Sequence, residues 1–349
     1  MVRIVGTGLY APGEAISNTE LMELAGIEFD AQRIEEKLGI KKRHIAHLRG
    51  IDETTADFAE AAARRAITDA GVDPGEIDLF VVGTDTPEYI SPATSMLIQG
   101  RIQGGQSFTG SWDLGASCSG FVAALDAVAR LVATDPGIEY AVVVGVYNMP
   151  AYFRPGDVFG YSIFADGAAA VVVQKSRTAA EAPVGSLGEP HVGETRSRYL
   201  GGQLLADGTQ WDYVGVYTGG TRKPATTERL ESGEYGLQLL QRLPGDRNVK
   251  LWPQVVERLL SKVELSIRDI DHIIFTQINR SVILQVMEIL GISEEKTTCI
   301  MDRYGYTGSA CVPMAFHTAV AEGRINRGDT VLLVASGAGL AVASSLFVY

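Results

Sequence analysis

The sequence predicts an α/β protein built from two homologous halves, and two patterns carry this prediction. Short apolar runs alternate with stretches of helical periodicity, as in folds where helices cover buried strands. A segment repeat at a constant offset divides the chain into expected halves at residues 1–174 and 183–349. The apolar runs that predict strands are Leu79–Val82, Ala141–Val146, Ala168–Val173, Ile273–Phe275 and Val331–Ala335.

The repeat rests on two matched pairs of segments. Glu76–Val82 is matched in kind by Asp269–Phe275, and Gly115–Cys118 is matched by Gly308–Cys311. Both pairs are 193 residues apart, and chance produces two matches at one offset less easily than a single match. We therefore expect the two halves to join around Thr178–Ala182.

Three further segments are informative in chain order. Gly6–Ala11 has the spacing of a dinucleotide-binding loop, but Pro12 and a glycine follow where that fingerprint needs a helix, so we reject a nicotinamide or flavin site. Thr54–Ala70 has helical spacing and is followed by Gly71, which predicts a helix with a glycine C-cap. Gly193–Asp246 is poorly periodic and predicts loops or a wall of a binding site.

Composition excludes several classes of protein. The chain has 349 residues, of which 46% are hydrophobic and 21% charged, so it is long and apolar enough to bury a large core. Its 30 basic and 42 acidic residues give a formal charge of −12, so we expect no nucleic-acid partner. We find no signal segment and no apolar run of about 18 residues, so we expect no membrane span.

The chain has three cysteines, Cys118, Cys299 and Cys311, whose spacing fits neither a zinc site nor a disulfide framework. We therefore expect no metal site and a reducing, cytoplasmic setting.

Cys118 lies between a predicted strand and a predicted helix. The segment Trp112–Gly115 ends the strand, small residues flank the thiol, and Phe121–Val132 has helical spacing, as in a nucleophile elbow. The positive end of the helix dipole would favour the thiolate and lower the pKa of Cys118. Cys118 is therefore interpreted in two ways. It is either a nucleophile that attacks an acyl thioester or an inert cysteine of the core. For Cys299 and Cys311 the core interpretation is favoured.

The segment Asp113–Phe121 resembles the nucleophile motif of the β-ketoacyl-acyl-carrier-protein synthase III branch of the thiolase superfamily. The resemblance implies a duplicated, five-layered αβαβα fold and a homodimer. It also implies that an acyl group passes to Cys118 from acyl-CoA or acyl carrier protein, with the thioester as substrate and no further cofactor. Segments that extend it over nearly the whole chain are Gly6–Pro12, Gly39–Arg43, Thr84–Tyr89, Phe164–Ala168 and Asp302–Ala310.

The sequence departs from the family pattern at two catalytic positions. Thr276 replaces the family's histidine, and Tyr306 replaces its asparagine. Asp85 stands where a related branch, the hydroxymethylglutaryl-CoA synthases, places a catalytic glutamate. The resemblance therefore implies Cys118, Tyr306, Thr276 and Asp85 as catalytic candidates, with acyl loading retained and the second step changed.

The resemblance also implies binding residues around the thiol. Backbone N–H groups of Cys118 and of the loop Gly337, Ala338 and Gly339 would form an oxyanion hole. A basic run that starts at Lys37 would meet the phosphates of coenzyme A or an acidic carrier protein, and a solvated face is the alternative. The residues implied to contact substrate or coenzyme A are Arg33, Lys37, Lys41, Arg43 and Asn279.

These expectations favour a condensing acyltransferase that transfers the acyl group from Cys118 to a carbon nucleophile. A non-condensing acyltransferase with an oxygen or nitrogen acceptor is the alternative within the enzyme class. A catalytically silent partner of a condensing complex, in which Cys118 only packs, is the alternative outside it.

Overall fold

The computed structural model of the chain describes residues 2–105, 107–175 and 197–349. The predicted junction at Thr178–Ala182 lies outside the described residues. The strands are β1 Val2–Tyr10, β2 Ile16–Ser17, β3 Lys42–Arg43, β4 Leu79–Gly83, β5 Gly110–Leu114, β6 Tyr140–Tyr147, β7 Gly167–Lys175, β8 Arg198–Gln210, β9 Val214–Val216, β10 Leu237–Leu239, β11 His272–Phe275, β12 Thr330–Gly337 and β13 Gly339–Val348. The α-helices are α1 Asn18–Ala25, α2 Ala31–Leu38, α3 Thr55–Ala70, α4 Thr94–Gln103, α5 Gly120–Thr134, α6 Val158–Ile163, α7 Thr227–Glu231, α8 Arg247–Lys262, α9 Arg280–Leu290, α10 Met301–Tyr304 and α11 Cys311–Ala321.

Two mixed sheets form the framework. The first has the strand order β1-β7-β6-β4-β5, and the second has the order β8-β13-β12-β11. In both sheets the first two pairings are antiparallel and the next is parallel. A parallel bridge from Ile273 in β11 to Thr297 lies where the first sheet has β5. The two sheets therefore share one topology, while the boundaries of the two halves stay a prediction.

Five layers of helices and sheets stack in the order αβαβα. Helices α5 and α11 contact strands of both sheets and form the central layer. Helices α3 and α4 pack on the first sheet, and α8 packs on the second. The five strands predicted from the sequence lie within β4, β6, β7, β11 and β12, so the predicted fold class is confirmed. The two central helices are buried along most of their length because they face a sheet on either side.

Helix α3 begins and ends where the sequence predicts. Thr54 and Asp57 form a capping box at its start, and Gly71 adopts a left-handed φ of 66° at its end. Strand β1 packs so closely on this helix that a Cβ at Gly6 or Gly8 would lie 2.4 Å from a helix carbonyl oxygen. The glycines of the Gly6–Ala11 segment therefore allow strand and helix to approach each other, which accounts for the dinucleotide-like spacing.

Two features of the fold differ from expectation. The poorly periodic region includes the 13-residue strand β8, which the pattern missed because three glycines interrupt its alternation of side chains. The segment Ser117–Thr134 is long and apolar enough to cross a membrane, although we expected no such run in the chain. Most of this segment is buried in the central layer, as is typical of a core helix.

Candidate active site

Cys118 lies in a single 3-10 turn, Ser117–Ser119, between β5 and α5. The preceding Ser117 has a φ of 48°, an unusual conformation for a residue with a side chain. The thiol borders a cavity of about 370 Å³. The strand, turn and helix expected around Cys118 are thus present, and a cavity opens onto the sulfur.

The structure brings the catalytic candidates and the glycine loop to this one cavity. Residues from both sheets contribute polar groups to its wall, and apolar side chains cover the rest. The polar part and the loop are Asp85, Ser117, Cys118, Tyr147, Arg247, Asn248, Thr276, Tyr306, Ser336, Gly337, Ala338 and Gly339. The remaining lining residues are Met149, Phe159, Phe164, Trp211, Val214, Gly215, Val216, Leu237, Leu243 and Ile278. Several of these come from the region 193–246, which was expected to supply loops or a binding wall.

Burial dominates the acidity of the Cys118 thiol. Loss of hydration is the main cause and the nearby Asp85 carboxylate adds to it, so that the pKa of Cys118 is raised to about 12. Hydrogen bonds from Tyr306 and Ser117 act in the opposite direction. The net shift is opposite to the one we expected from the helix N-terminus, because desolvation outweighs the favourable contacts. A proton acceptor is therefore needed before Cys118 can act as a nucleophile.

Ser117 connects the thiol to Asp85 and to the glycine loop. Its Oγ donates to Asp85 Oδ2 at 3.1 Å and lies 3.8 Å from the Cys118 sulfur. The same Oγ accepts a hydrogen bond from the Ala338 N–H at 3.1 Å. The Ala338 N–H expected in the oxyanion hole is therefore already paired, and that part of the prediction is corrected. The corresponding roles of Cys118, Gly337 and Gly339 stay predictions.

Asp85 is a buried carboxyl group beside the nucleophile. Its Oδ1 is buried and has no hydrogen-bond partner, while its Oδ2 accepts from Ser117. Burial raises the pKa of Asp85 to about 6, and the Ser117 hydrogen bond lowers it only in part. A carboxylate with one free oxygen and a pKa near neutrality is suited to accept a proton.

Tyr306 takes the position expected for a catalytic polar group. Its hydroxyl hydrogen-bonds the Cys118 thiol, and its ring lies 5.4 Å from that of Phe164. The chain is held there because Tyr306 N–H donates to the Ile163 carbonyl, and Ala165 N–H donates to the Tyr306 carbonyl. Burial holds the pKa of Tyr306 well above its ordinary value, so this residue is a neutral hydrogen-bond donor.

Thr276 lines the cavity, but its hydroxyl is occupied by the backbone. It accepts from the Ser336 N–H at 2.9 Å and faces the Ser336 carbonyl at 3.5 Å. The hydroxyl therefore fastens the end of β12, and the catalytic role expected for Thr276 stays a prediction. Among the described residues that line the cavity there is also no histidine.

The Gly337 backbone packs directly against the Cys118 turn. A Cβ at Gly337 would lie 2.6 Å from the Cys118 nitrogen and 2.9 Å from the Ser117 Cβ. Only a residue without a side chain fits between β12 and the turn without displacing one of them. This contact fixes the glycine loop over the nucleophile.

The residues implied to bind coenzyme A have different positions. Of the described residues that line the Cys118 cavity, none belongs to this group. Arg33, Lys37 and Lys41 are exposed on or just after α2. Arg43 is fully buried and donates to Asn18 Oδ1 and to the Ser162 carbonyl, and Asn279 accepts from Val282 N–H as the N-cap of α9. The roles expected for Arg43 and Asn279 are corrected because both side chains are used by the fold.

Five polar residues of the cavity were not predicted from the sequence, namely Ser117, Tyr147, Arg247, Asn248 and Ser336. Ser117 precedes the nucleophile, and its small polar side chain gave a usable signal. Arg247 and Asn248 open α8, where charged and polar residues are ordinarily solvated, so their sequence carried no signal of a site.

Comparisons with known proteins agree with the geometry. The family model for the C-terminal part of 3-oxoacyl-[acyl-carrier-protein] synthase III matches residues 260–349, and the model for 3-oxoacyl-[acyl-carrier-protein] synthase III matches residues 112–187. The beta-ketoacyl-[acyl-carrier-protein] synthase III of Xanthomonas campestris pv. campestris is 33% identical, over 99% of this chain and 98% of its own. The protein of the same description from Alkalilimnicola ehrlichii is 34% identical over 99% of both chains.

A solved structure extends the similarity to three dimensions. The crystal structure of 3-oxoacyl-[acyl-carrier-protein] synthase III from Aquifex aeolicus VF5 superposes with a TM-score of 0.82. The two sequences are 27% identical, and the superposition covers 100% of each chain.

Proposed function

Because the chain belongs to the 3-oxoacyl-[acyl-carrier-protein] synthase III family of acyl-transferring condensing enzymes, we propose that it uses Cys118 to carry an acyl group. The group comes from a thioester of coenzyme A or acyl carrier protein and passes to a carbon nucleophile. The observation that carries this proposal is the hydrogen-bonded path from Cys118 through Ser117 to Asp85 at the cavity wall.

In the first half-reaction the Cys118 sulfur attacks the carbonyl carbon of the thioester. The thiol proton moves to Ser117 Oγ as the Ser117 proton moves to Asp85, so the attacking sulfur is anionic. The bond from the carbonyl carbon to the leaving thiol then breaks, and Asp85 returns the proton to that thiol. The acyl group remains on Cys118 as a new thioester, and Asp85 is again ionised.

In the second half-reaction a carbanion or enolate of the acceptor attacks the Cys118 thioester. When the acceptor carries an acidic C–H, Asp85 takes that proton, and when it carries a carboxyl group, loss of CO₂ supplies the electron pair. Tyr306 donates a hydrogen bond to the developing negative charge on oxygen. The Cys118 sulfur then leaves as a thiolate. When Asp85 has taken a C–H proton, that proton returns to the sulfur through Ser117, and when CO₂ has been lost, the thiolate takes its proton from solvent.

Asp85 also favours a second candidate function, transfer of the acyl group to oxygen or nitrogen. The described cavity has no imidazole but has a carboxylate with a free Oδ1. A positioned carboxylate can also act as the general base that removes the proton of an alcohol or amine acceptor.

The proposal is tested by intact-mass measurement after incubation with acyl-CoAs of increasing length, including malonyl-CoA, and with carrier-bound acyl groups. We expect a mass increase equal to one acyl group, placed on Cys118 by peptide mapping. Cys118→Ala is expected to abolish the increase, and Cys299→Ala, at a partly exposed thiol outside the cavity, is expected to retain it. Absence of loading with every donor would support a silent partner instead.

Cations on the surface and the setting of the enzyme complete the proposal. Arg33 and Lys37 are exposed on α2 and Lys41 is exposed just after it, and such cations suit the phosphates of coenzyme A or an acidic carrier protein. The three cysteines are free, which is compatible with a reducing cytoplasm.

We further propose a homodimer that pairs the β5 edges of two copies. Strand β5 ends the first sheet with unpaired backbone groups on one side. Large apolar side chains on the segments beside it are exposed, including Ile90 at 87% and Phe108 at 97%. Light scattering of the purified chain is expected to give twice the 37.4 kDa of one chain. A monomer mass, with Ile90→Glu causing no change, would contradict the dimer.

A further inference from the structure

A cation on the cavity wall has no part in the acyl transfer described above. Arg247 is the first residue of α8, is partly buried and lines the cavity that holds Cys118. Its guanidinium lies close enough to the Tyr306 hydroxyl and to the Cys118 thiol for their charges to interact. A ligand that reaches the thiol therefore also comes near this cation.

Among the described residues, Arg247 forms no ion pair with a carboxylate, although a buried guanidinium ordinarily has one. Its guanidinium donates instead to a neutral group, Gln210 Oε1, at 3.3 Å. The Gln210 amide in turn donates to Asp207 Oδ2 at 2.9 Å, so this acid pairs with the amide and not with the cation. Burial lowers the pKa of Arg247, because desolvation disfavours the charged form of its guanidinium.

Asn248 places a second donor beside Arg247. The Trp252 indole N–H donates to Ser336 Oγ, and Ser336 Oγ donates to Asn248 Oδ1, both at 3.1 Å. This chain orients the amide so that its oxygen is occupied and its N–H₂ group is left for a ligand. An arginine fork with an adjacent amide donor matches the two oxygens of a carboxylate.

We propose that Arg247 and Asn248 bind a carboxylate that the substrate keeps during the reaction. The inference rests on the proposed function and adds the substrate class: a thioester or an acceptor that carries a second, anionic group. An ion pair with arginine stabilises the carboxylate, which opposes loss of CO₂. The bound carboxylate is therefore distinct from one that leaves in a decarboxylation.

The carboxylate that Arg247 and Asn248 bind can come from two places. It is either at the far end of the acyl group on Cys118 or on the acceptor. The first is tested with succinyl-CoA and glutaryl-CoA against butyryl-CoA and pentanoyl-CoA, by the rate of mass increase on Cys118. We expect Arg247→Met to slow loading of the two dicarboxylic acyl groups by about 10–100-fold, as for loss of a charge-assisted hydrogen bond. Loading of the two neutral acyl groups is expected to change less than about threefold.

The second source is tested on enzyme already loaded with butyryl groups. Acceptors with a free carboxylate are compared with their methyl esters, and the rate of deacylation of Cys118 is measured. If the acceptor supplies the carboxylate, Arg247→Met removes the preference for the free acids, and the loading rates stay unchanged. Arg258→Met is the matched control, because Arg258 lies on the exposed side of the same helix.

Equilibrium dialysis with the Cys118→Ala protein gives a readout that needs no acyl transfer. We expect succinyl-CoA to bind more tightly than butyryl-CoA, and Arg247→Met to remove the difference. Equal effects of Arg247→Met on neutral and anionic substrates in all three measurements would overturn the inference. In that case, transfer of the butyryl group from butyryl-CoA to Cys118 would show that the proposed function still holds. If no butyryl group were transferred, the proposed function itself would be wrong.

Discussion

Replacing Asp85 by asparagine is expected to slow acyl loading of Cys118 by about 10²–10⁴-fold, the usual contribution of a general base. The amide keeps the shape of the side chain and can still accept from Ser117, but it cannot take the thiol proton. The measurement is the initial rate of mass increase with the preferred acyl-CoA. Asp52→Asn, at an exposed aspartate outside the cavity, is the matched control and is expected to load at the wild-type rate.

Asp85→Asn is also expected to change how the rate of acyl loading depends on pH. Asp85 has a pKa of about 6, so the base is ionised above that pH and protonated below it. Loading by the wild-type protein is therefore expected to fall as the pH is lowered through 6, and Asp85→Asn is expected to lose this step. An unchanged step in the variant would assign the titration to another group.

Asp85→Asn is also expected to stabilise the fold above pH 6. Burial raises the folded-state pKa above the ordinary 3.8, so ionisation of Asp85 disfavours the folded state once the pH exceeds 3.8. The penalty grows up to the folded pKa and then stays constant, at about 3 kcal/mol from 1.36 kcal/mol per pKa unit. Thermal melts at pH 7.5 are expected to show a higher Tm for the variant, and a lower Tm would contradict a destabilising ionised carboxylate at Asp85.

Gly337→Ala is expected to nearly abolish loading and to lower the free energy of unfolding by about 1–3 kcal/mol, as for other overpacked sites. The new Cβ would meet the Cys118 nitrogen at 2.6 Å, so either β12 or the nucleophile turn has to move. Movement of either one separates the nucleophile turn from the glycine loop and disturbs the hydrogen bond from the Ala338 N–H to Ser117 Oγ. The readouts are the loading rate and the midpoint of urea unfolding.

Gly208→Ala is the control for this substitution. It adds the same methyl group to β8, where no atom lies within 4 Å of the new Cβ. It is expected to leave both the loading rate and the stability near wild type. Wild-type loading by Gly337→Ala would mean that the turn and the loop can adjust without loss of function.

Periodicity predicted the framework because buried strands leave a strong local pattern. The apolar runs of β4, β6, β7, β11 and β12 are buried on both faces and stand out from their surroundings. Strand β8 has no such run, since its glycines and exposed polar residues interrupt the pattern. Its place in the second sheet is set by β13, which lies more than a hundred residues away.

The site was predictable where chemistry follows position in a motif, and not where it depends on the partner of a side chain. Cys118 and Asp85 were identified by their segments, and both line the cavity. The Thr276 hydroxyl has the right chemistry for a catalytic donor, but its partner on β12 is 60 residues away. Arg247 was missed for the converse reason, because only the folded chain brings the start of α8 to Cys118.

Because Gly337 packs on the Cys118 turn from a distant part of the chain, the thiol is synthesised long before the segment that covers it. The ribosome adds Gly337 more than two hundred residues after Cys118, which takes tens of seconds at about 5–20 residues per second. During that interval neither β12 nor the loop that covers the thiol has been synthesised. Cys118 is therefore without this cover for tens of seconds, and a chain that stops before β12 would leave the thiol open to oxidants and alkylating agents.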